Sequence, residues 1–446
     1  MATSISSPAG HEPSPALSEA PANPQPELME LKHRLHRRLL ERINLERLAE
    51  IDAPRVRNEV RSAVSALVAE EDPGLAEDLR ERVIDEVLNE VFGLGPLEPL
   101  MADPTVSDIL VTTPDLVHVE RRGKLEKTPV RFKDNAHLQR IIQKIVGQAG
   151  RRIDESSPMV DCRLPDGSRV NAVIAPVAVR GPLLSIRRFS REKITSHDLV
   201  NKGSLSQKMM DFLAACVRAR LNILVAGGTG SGKTTLLNVL SSFAGADERI
   251  VTIEDTAELQ LQQEHVAAME TRPPNLEGDG AIRQRQLLIN SLRMRPDRII
   301  VGEVRGDEVL DMLQAMNTGH DGSLATIHAN SCDHAVSRLE LMVNLANSNI
   351  SVASVRKQIA AAIHLYVQMS RLSDGTRRIT QIAESAGMHG GEIDLRDVFV
   401  FENLGVSPEG IVTGRFQSAG EKPLVWERLQ RSQASLSESV FEPEGD

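Results

Sequence analysis

The stretch Leu221 to Leu240, LNILVAGGTGSGKTTLLNVL, constrains this chain more than any other. It reads as a short apolar strand, Ile223 to Ala226, then a run of glycines, then an apolar helix start. Gly227-Gly228-Thr229-Gly230-Ser231-Gly232-Lys233-Thr234 fits the G-x-x-x-x-G-K-[ST] phosphate loop, with both flanks of the required type. Glycines let successive backbone N–H groups close around phosphate oxygens. The helix that follows adds its positive N-terminal dipole. Lys233 is spaced to reach β- and γ-phosphates, and the Thr234 hydroxyl to ligate Mg²⁺. Loop contacts are expected from Gly228, Thr229, Gly230, Ser231, Gly232, Lys233, Thr234 and Thr235. The plainer reading is a glycine-rich turn that binds nothing, and the strand and helix flanks weigh against it.

At 446 residues the chain has room for two or three domains with ordinary cores. No apolar run approaches the roughly 20 residues that span a bilayer, and Met1 to Pro26 lacks the apolar centre of a signal peptide. Cys162, Cys216 and Cys332 are far apart without metal spacing, which suits a reducing cytoplasm. A net charge of −10, one Trp, one Tyr and nine Phe weigh against nucleic acid, because a single-strand channel needs a positive groove and stacking rings.

Residues 1–26 are rich in Pro, Ser and Ala and read as a disordered tail. Three helices are expected over 27–95, on stripes beginning Leu28-Leu31-Leu35-Leu39-Ile43, Val56-Val60-Val64 and Leu75-Leu79-Val83. They read as a small bundle with an internal core; the basic run Lys32, Arg34, Arg37, Arg38 and Arg42 could face anionic lipid or an acidic partner, against the plainer reading of a solvated face. Residues 96–190 form a small α+β domain with strands at Ile109–Thr112, Val117–Glu120, Val130–Phe132, Ser168–Ile174 and Leu183–Phe189. Residues 191–203 are polar and read as a hinge. From 204 to 446 strands and helices alternate, which implies a mostly parallel sheet. Its strands are Ile223–Ala226, Ile250–Glu254, Ile299–Glu303 and Ser323–His328.

Ligands of open α/β sheets gather at the carboxyl ends of strands, so the polar residues ending those four strands matter most. One strand ends in Glu254-Asp255, with Glu258 after it, and another in Glu303. Such a carboxylate can hold Mg²⁺ through water or polarise an attacking water. For Asp255 and Glu258 the alternative is capping of a following helix. His328 ends the fourth strand and could donate to a phosphate or a catalytic carboxylate, whereas His320 reads as structural. Arg169 and Arg187, on strands of the preceding domain, are candidate cations for the charge that develops in phosphoryl transfer, against the alternative of ordinary strand-edge arginines.

Taken together these residues resemble the secretion ATPase superfamily of type II and type IV secretion and type IV pili. The resemblance rests on GGTGSGKTT (227–235), TIEDTAEL (252–259), LRMRPDRIIVGEVRGDEVLDMLQAMNTGHDGSLATIHANS (292–331) and RLPDGSRVN (163–171). GRRIDESSPMVDCRLPDGSRVNAVIAP (150–176), SIRRFS (185–190) and the tail RRITQIAESAGMHGGEIDLRDVFVFENLG (377–405) are similar to the CpaF family, motor ATPases of tight-adherence pili. The resemblance implies a RecA-like P-loop ATPase domain preceded by a small α+β, PAS-like domain and a helical bundle, with ATP between the domains. It further implies a cytoplasmic homohexamer at the inner membrane that acts on platform proteins and, through them, on pilins. Glu254 matches the Asp-box glutamate, Glu303 the Walker B glutamate and His328 the His-box histidine. Arg169 and Arg187 match arginines that approach the nucleotide. Mg²⁺ is the only metal implied. Asp307 departs from the small residue or proline of many relatives. The rival readings are a type IV secretion ATPase that exports substrates, a nucleic-acid motor, and a nucleotide-binding scaffold without turnover.

Overall fold

A computed structural model of the chain describes residues 30–32, 34–35, 38–39, 53–121, 123–189, 193–274, 279–347, 349–432, 434 and 436–442. The expected tail over 1–26 lies outside these residues. So do Leu28, Arg37, Arg42 and Ile43 of the first expected helix, and positions 190–192 around the start of the hinge. The chain divides into two units, Met1–Ser190 and Arg191–Asp446.

In the first unit the apolar stripes of the N-terminal sequence close on one another. Helices Ala53–Glu71 and Glu77–Phe92 bury Val56, Val60, Val64 and Val68 with Val83, Ile84, Val87 and Leu88, and the same cluster takes Leu31, Leu35 and Leu39. Six antiparallel strands follow: β1 (Val106–Thr113), β2 (Leu116–Arg121), β3 (Lys124–Lys127), β4 (Met159–Arg163), β5 (Arg169–Val173) and β6 (Leu183–Arg187), in the order β3-β2-β1-β6-β5-β4. Alternate residues, among them Ile109, Val119, Val170 and Ile186, pack on Leu138, Ile142 and Ile145 of helix Asn135–Gln148. Each of those three helix side chains is fully buried, an arrangement worth about 1.5–3 kcal/mol apiece. Asp134 caps the helix by accepting from the His137 N–H at 2.7 Å.

The strand expected at Val130–Phe132 is absent, and the third strand is Lys124–Lys127, exposed throughout. Pro129 has no N–H to give a ladder. The neighbouring Thr128 and Phe132 N–H groups bond instead to Val117 O at 2.9 Å and Pro114 O at 2.7 Å.

The second unit holds nine strands: β7 (Ile223–Gly227), β8 (Ile250–Glu254), β9 (Val266–Glu270), β10 (Arg298–Val304), β11 (Leu324–Ile327), β12 (Leu365–Arg371), β13 (Arg377–His389), β14 (Glu392–Val406) and β15 (Val412–Ser418). Their order is β15-β14-β13-β12-β7-β11-β10-β8-β9. Pairing is parallel from β12 to β9 and antiparallel from β12 to β15. Helices and loops cover both faces with separate apolar clusters, so every residue of β7, β8 and β11 is buried. That explains why these strands read as continuous apolar runs rather than alternating ones.

The segment expected to serve as a hinge is folded from residue 193 onward. Thr195 and Asp198 form a capping box on helix Ser196–Asn201, and Leu199 and Leu205 enter the core of the second unit. A polar composition hid a helix-start signal.

Candidate active site

The phosphate loop joins β7 to helix Lys233–Ser241. Gly230 and Gly232 take φ of +69° and +98°, a region other residues avoid. A Cβ on Gly227 would lie 2.6 Å from Met369 O, so glycine there lets β12 approach. Ser231 Oγ donates to Gly228 O at 2.9 Å and fixes the turn. The Lys233 ammonium is buried and donates to Gly227 O at 3.0 Å and Gly228 O at 3.1 Å. Burial lowers its pKa, with the Glu303 charge opposing.

Three further strands end beside this loop. β11 pairs with β7, β10 with β11, and β8 with β10, all parallel. The tips of these four neighbours therefore carry Lys233, His328, Glu303 and Glu254 along one edge. Thr326 Oγ1 donates to Gly302 O at 2.6 Å and ties β11 to β10 just below the tips.

The two glutamates sit in opposite electrostatic settings. Glu254 is 3% exposed, and burial pushes its carboxyl up to about 7. Its Oε1 accepts from the Glu258 N–H at 2.9 Å and the Leu259 N–H at 3.0 Å, which pulls the pKa back only in part. Its Oε2 is buried without a protein hydrogen bond. Gly302 leaves it room, since a Cβ there would lie 2.8 Å from Glu254 Cγ. For Glu303, burial alone would raise the carboxyl, but Arg305, Lys233 and His328 outweigh it and lower the pKa. Arg305 Nη2 donates to Glu303 Oε2 at 2.8 Å, and Arg305 Nη1 lies 3.3 Å from Asp255 Oδ2. One guanidinium thus bridges the tips of β10 and β8.

No helix follows Asp255 or Glu258. The capping alternative for this pair is set aside: Asp255 faces Arg305, and the loop N–H groups turn onto Glu254 instead. Asp307 pairs with Arg285 at 3.4 Å and begins helix Glu308–Asn317. His320 precedes β11, at the end of the sheet away from the loop. Arg169 and Arg187 belong to the first unit, directly opposite each other on β5 and β6. Arg163 stands opposite Arg169 in turn, and Arg187 Nε lies 3.2 Å from Asp108 Oδ1.

Sequence reasoning missed Arg305 and Gln368. Gln368, on β12, is buried and donates from Nε2 to Ala329 O at 3.3 Å, next to His328. Arg305 stood in the stretch quoted above, but its two carboxylate partners become visible only once β8 and β10 are neighbours.

A phosphate loop on the central strand of a mixed sheet, with one buried and one half-buried carboxylate on neighbouring parallel tips, defines a nucleoside triphosphatase. Residues 90–390 match the family described as Type II/IV secretion system protein, and the chain belongs to that family. It is an ATP-hydrolysing enzyme, a secretion or pilus ATPase. A putative conjugal transfer protein of Mycobacterium tuberculosis is 40% identical over 300 residues, covering 66% of this chain and 85% of that protein. The type IV secretion system protein VirB11 of Brucella suis is 30% identical over 315 residues, covering 64% and 87%. The crystal structure of the VirB11 ATPase of Brucella suis in complex with sulphate aligns with a TM-score of 0.36 at 29% identity, covering 66% of this chain and 97% of that one.

Proposed function

We propose that this enzyme is the hexameric motor of a tight-adherence pilus, a member of the CpaF family, working at the cytoplasmic face of an inner membrane on platform proteins and through them on pilins. Among the described residues no helix is long and apolar enough to cross a membrane. The observation that carries the catalytic part is the run β7-β11-β10-β8, whose tips hold Lys233, His328, Glu303 and Glu254 together. The tail motif at 377–405 carries the choice of machine.

In this reading the loop N–H groups from Gly228 to Thr235 and the Lys233 ammonium hold the ATP phosphates. Glu303 is ionised at neutral pH because cations surround it, so it can accept a hydrogen bond from the attacking water and orient it. Glu254 changes protonation near neutrality and can take a proton as the water attacks. His328 is near enough to help lower the Glu303 carboxyl, after Arg305 and Lys233, and steadies negative charge. Arg169 and Arg187 supply further positive charge to the transition state. The Thr234 hydroxyl and the Glu303 carboxylate, the latter through water, make an oxygen-only donor set that suits Mg²⁺. Bound there, Mg²⁺ neutralises phosphate charge.

A type IV secretion role is the second reading, favoured by relatives named as conjugal transfer and type IV secretion proteins. Deleting the gene separates the two. Loss of surface fibres with substrate export intact supports the pilus motor; loss of export with fibres intact supports the second reading.

A further inference from the structure

Arg371 ends β12 and Arg377 begins β13, and the two stand directly opposite each other across the hairpin. Like charges in register disfavour a sheet, and the turn between them is held by other groups. Asp374 Oδ1 accepts from the Thr376 N–H at 2.9 Å and its hydroxyl at 2.6 Å. Asp374 Oδ2 accepts from the Val412 N–H at 2.9 Å and pins the turn to β15, while Leu372 N donates to Thr376 O at 2.8 Å. The hairpin is a braced mount, and both arginines on it are exposed.

That mount stands against the phosphate loop. Arg377 Nε donates to Gly230 O at 2.8 Å. A Cβ on Gly232 would touch Arg377 Cδ at 3.4 Å, and one on Gly230 would lie 3.6 Å from Arg371 Nη1. Two guanidiniums therefore flank a loop whose backbone is shaped for phosphate. Guanidinium suits phosphate oxygens through its fork of N–H donors.

We infer that Arg371 and Arg377 are phosphate-binding residues that grip the polyphosphate of the nucleotide from the same unit as the loop. This inference rests on the reading of 227–235 as a phosphate loop. It deepens that reading by naming the phosphate chain, and not the base, as what the hairpin recognises.

The test is equilibrium binding of ADP, and of pyrophosphate as the nucleoside-free probe, to the full chain and to Arg371→Ala, Arg377→Ala and Arg377→Lys. Nucleotide-free melting, followed by the fluorescence of Trp426, monitors the fold. Each alanine variant should weaken both ligands by about tenfold, with melting unchanged and partial recovery in Arg377→Lys. Pyrophosphate affinity unchanged in both alanine variants overturns the inference, as does an effect confined to Arg377→Ala, which would mark a residue that only braces Gly230. Lys233→Ala is the control: if it binds ADP normally, the phosphate-loop reading itself fails. If it loses ADP while both arginine variants keep it, only the present inference fails.

Discussion

Glu254→Gln should raise the stability of the protein at alkaline pH while it lowers turnover. Burial lifts the folded-state carboxyl from 4.5 to about 7, so the folded chain takes up a proton that the unfolded chain does not. Stability therefore rises as pH falls from about 7 towards 4.5 and is lost as pH rises through that window. At 1.36 kcal/mol per pH unit of difference, the ionised Glu254 costs about 3 kcal/mol at pH 8, of which about 2 kcal/mol is relieved by pH 5.5. Glutamine keeps an oxygen for the Glu258 and Leu259 N–H groups and carries no charge to bury. Trp426, the sole tryptophan, lies in the second unit and packs on Phe441 with ring centroids 5.6 Å apart, so its fluorescence follows the unfolding of that unit. Urea titrations at pH 8 and 5.5 should show the variant more stable at pH 8, with the gap narrowing by about 2 kcal/mol at pH 5.5. Parallel pH profiles for the two proteins would refute the reasoning, because Glu254 would then ionise in the folded state as it does in the unfolded one.

Gly302→Ala places a methyl 2.8 Å from Glu254 Cγ, and displacing that side chain should lower kcat by about tenfold or more while ADP affinity holds. Equal kcat in steady-state assays would show that the position of Glu254 does not matter. Arg305→Ala removes the main cation on Glu303, so the acid limb of the kcat–pH profile should move to higher pH; an unmoved limb counts against Glu303 as the titrating group. Arg169→Ala and Arg187→Ala should each reduce kcat more than ATP affinity, and normal kcat in both returns these residues to the role of strand arginines.

The strands that carry the candidate site were more legible than the strands around them. Strands β7, β8, β10 and β11 were readable because a strand covered on both faces is a continuous apolar run, and each ends in a chemically distinctive residue: Gly227, Glu254, Glu303 or His328. β13 and β14, at 13 and 15 residues, mix buried and exposed positions without clean alternation, and β3 is all charged residues and leucine, so neither pattern announced a strand. Arg305, Gln368, Arg371 and Arg377 were hidden for a different reason. Their meaning depends on partners from other strands, such as Asp255 for Arg305 and Gly230 for Arg377, which only the sheet order brings near. In the polar stretch after 190, Thr195 and Asp198 start a helix that composition alone did not announce.

The central claim is that the tips of β7, β11, β10 and β8 act together on one triphosphate and one water. Single-turnover phosphate release by Glu303→Gln, measured beside its affinity for ATP, tests it most directly. ATP affinity should stay within about threefold of the original, and release should slow by about a hundredfold or more. Release at the original rate, from a variant that binds ATP normally, would contradict it.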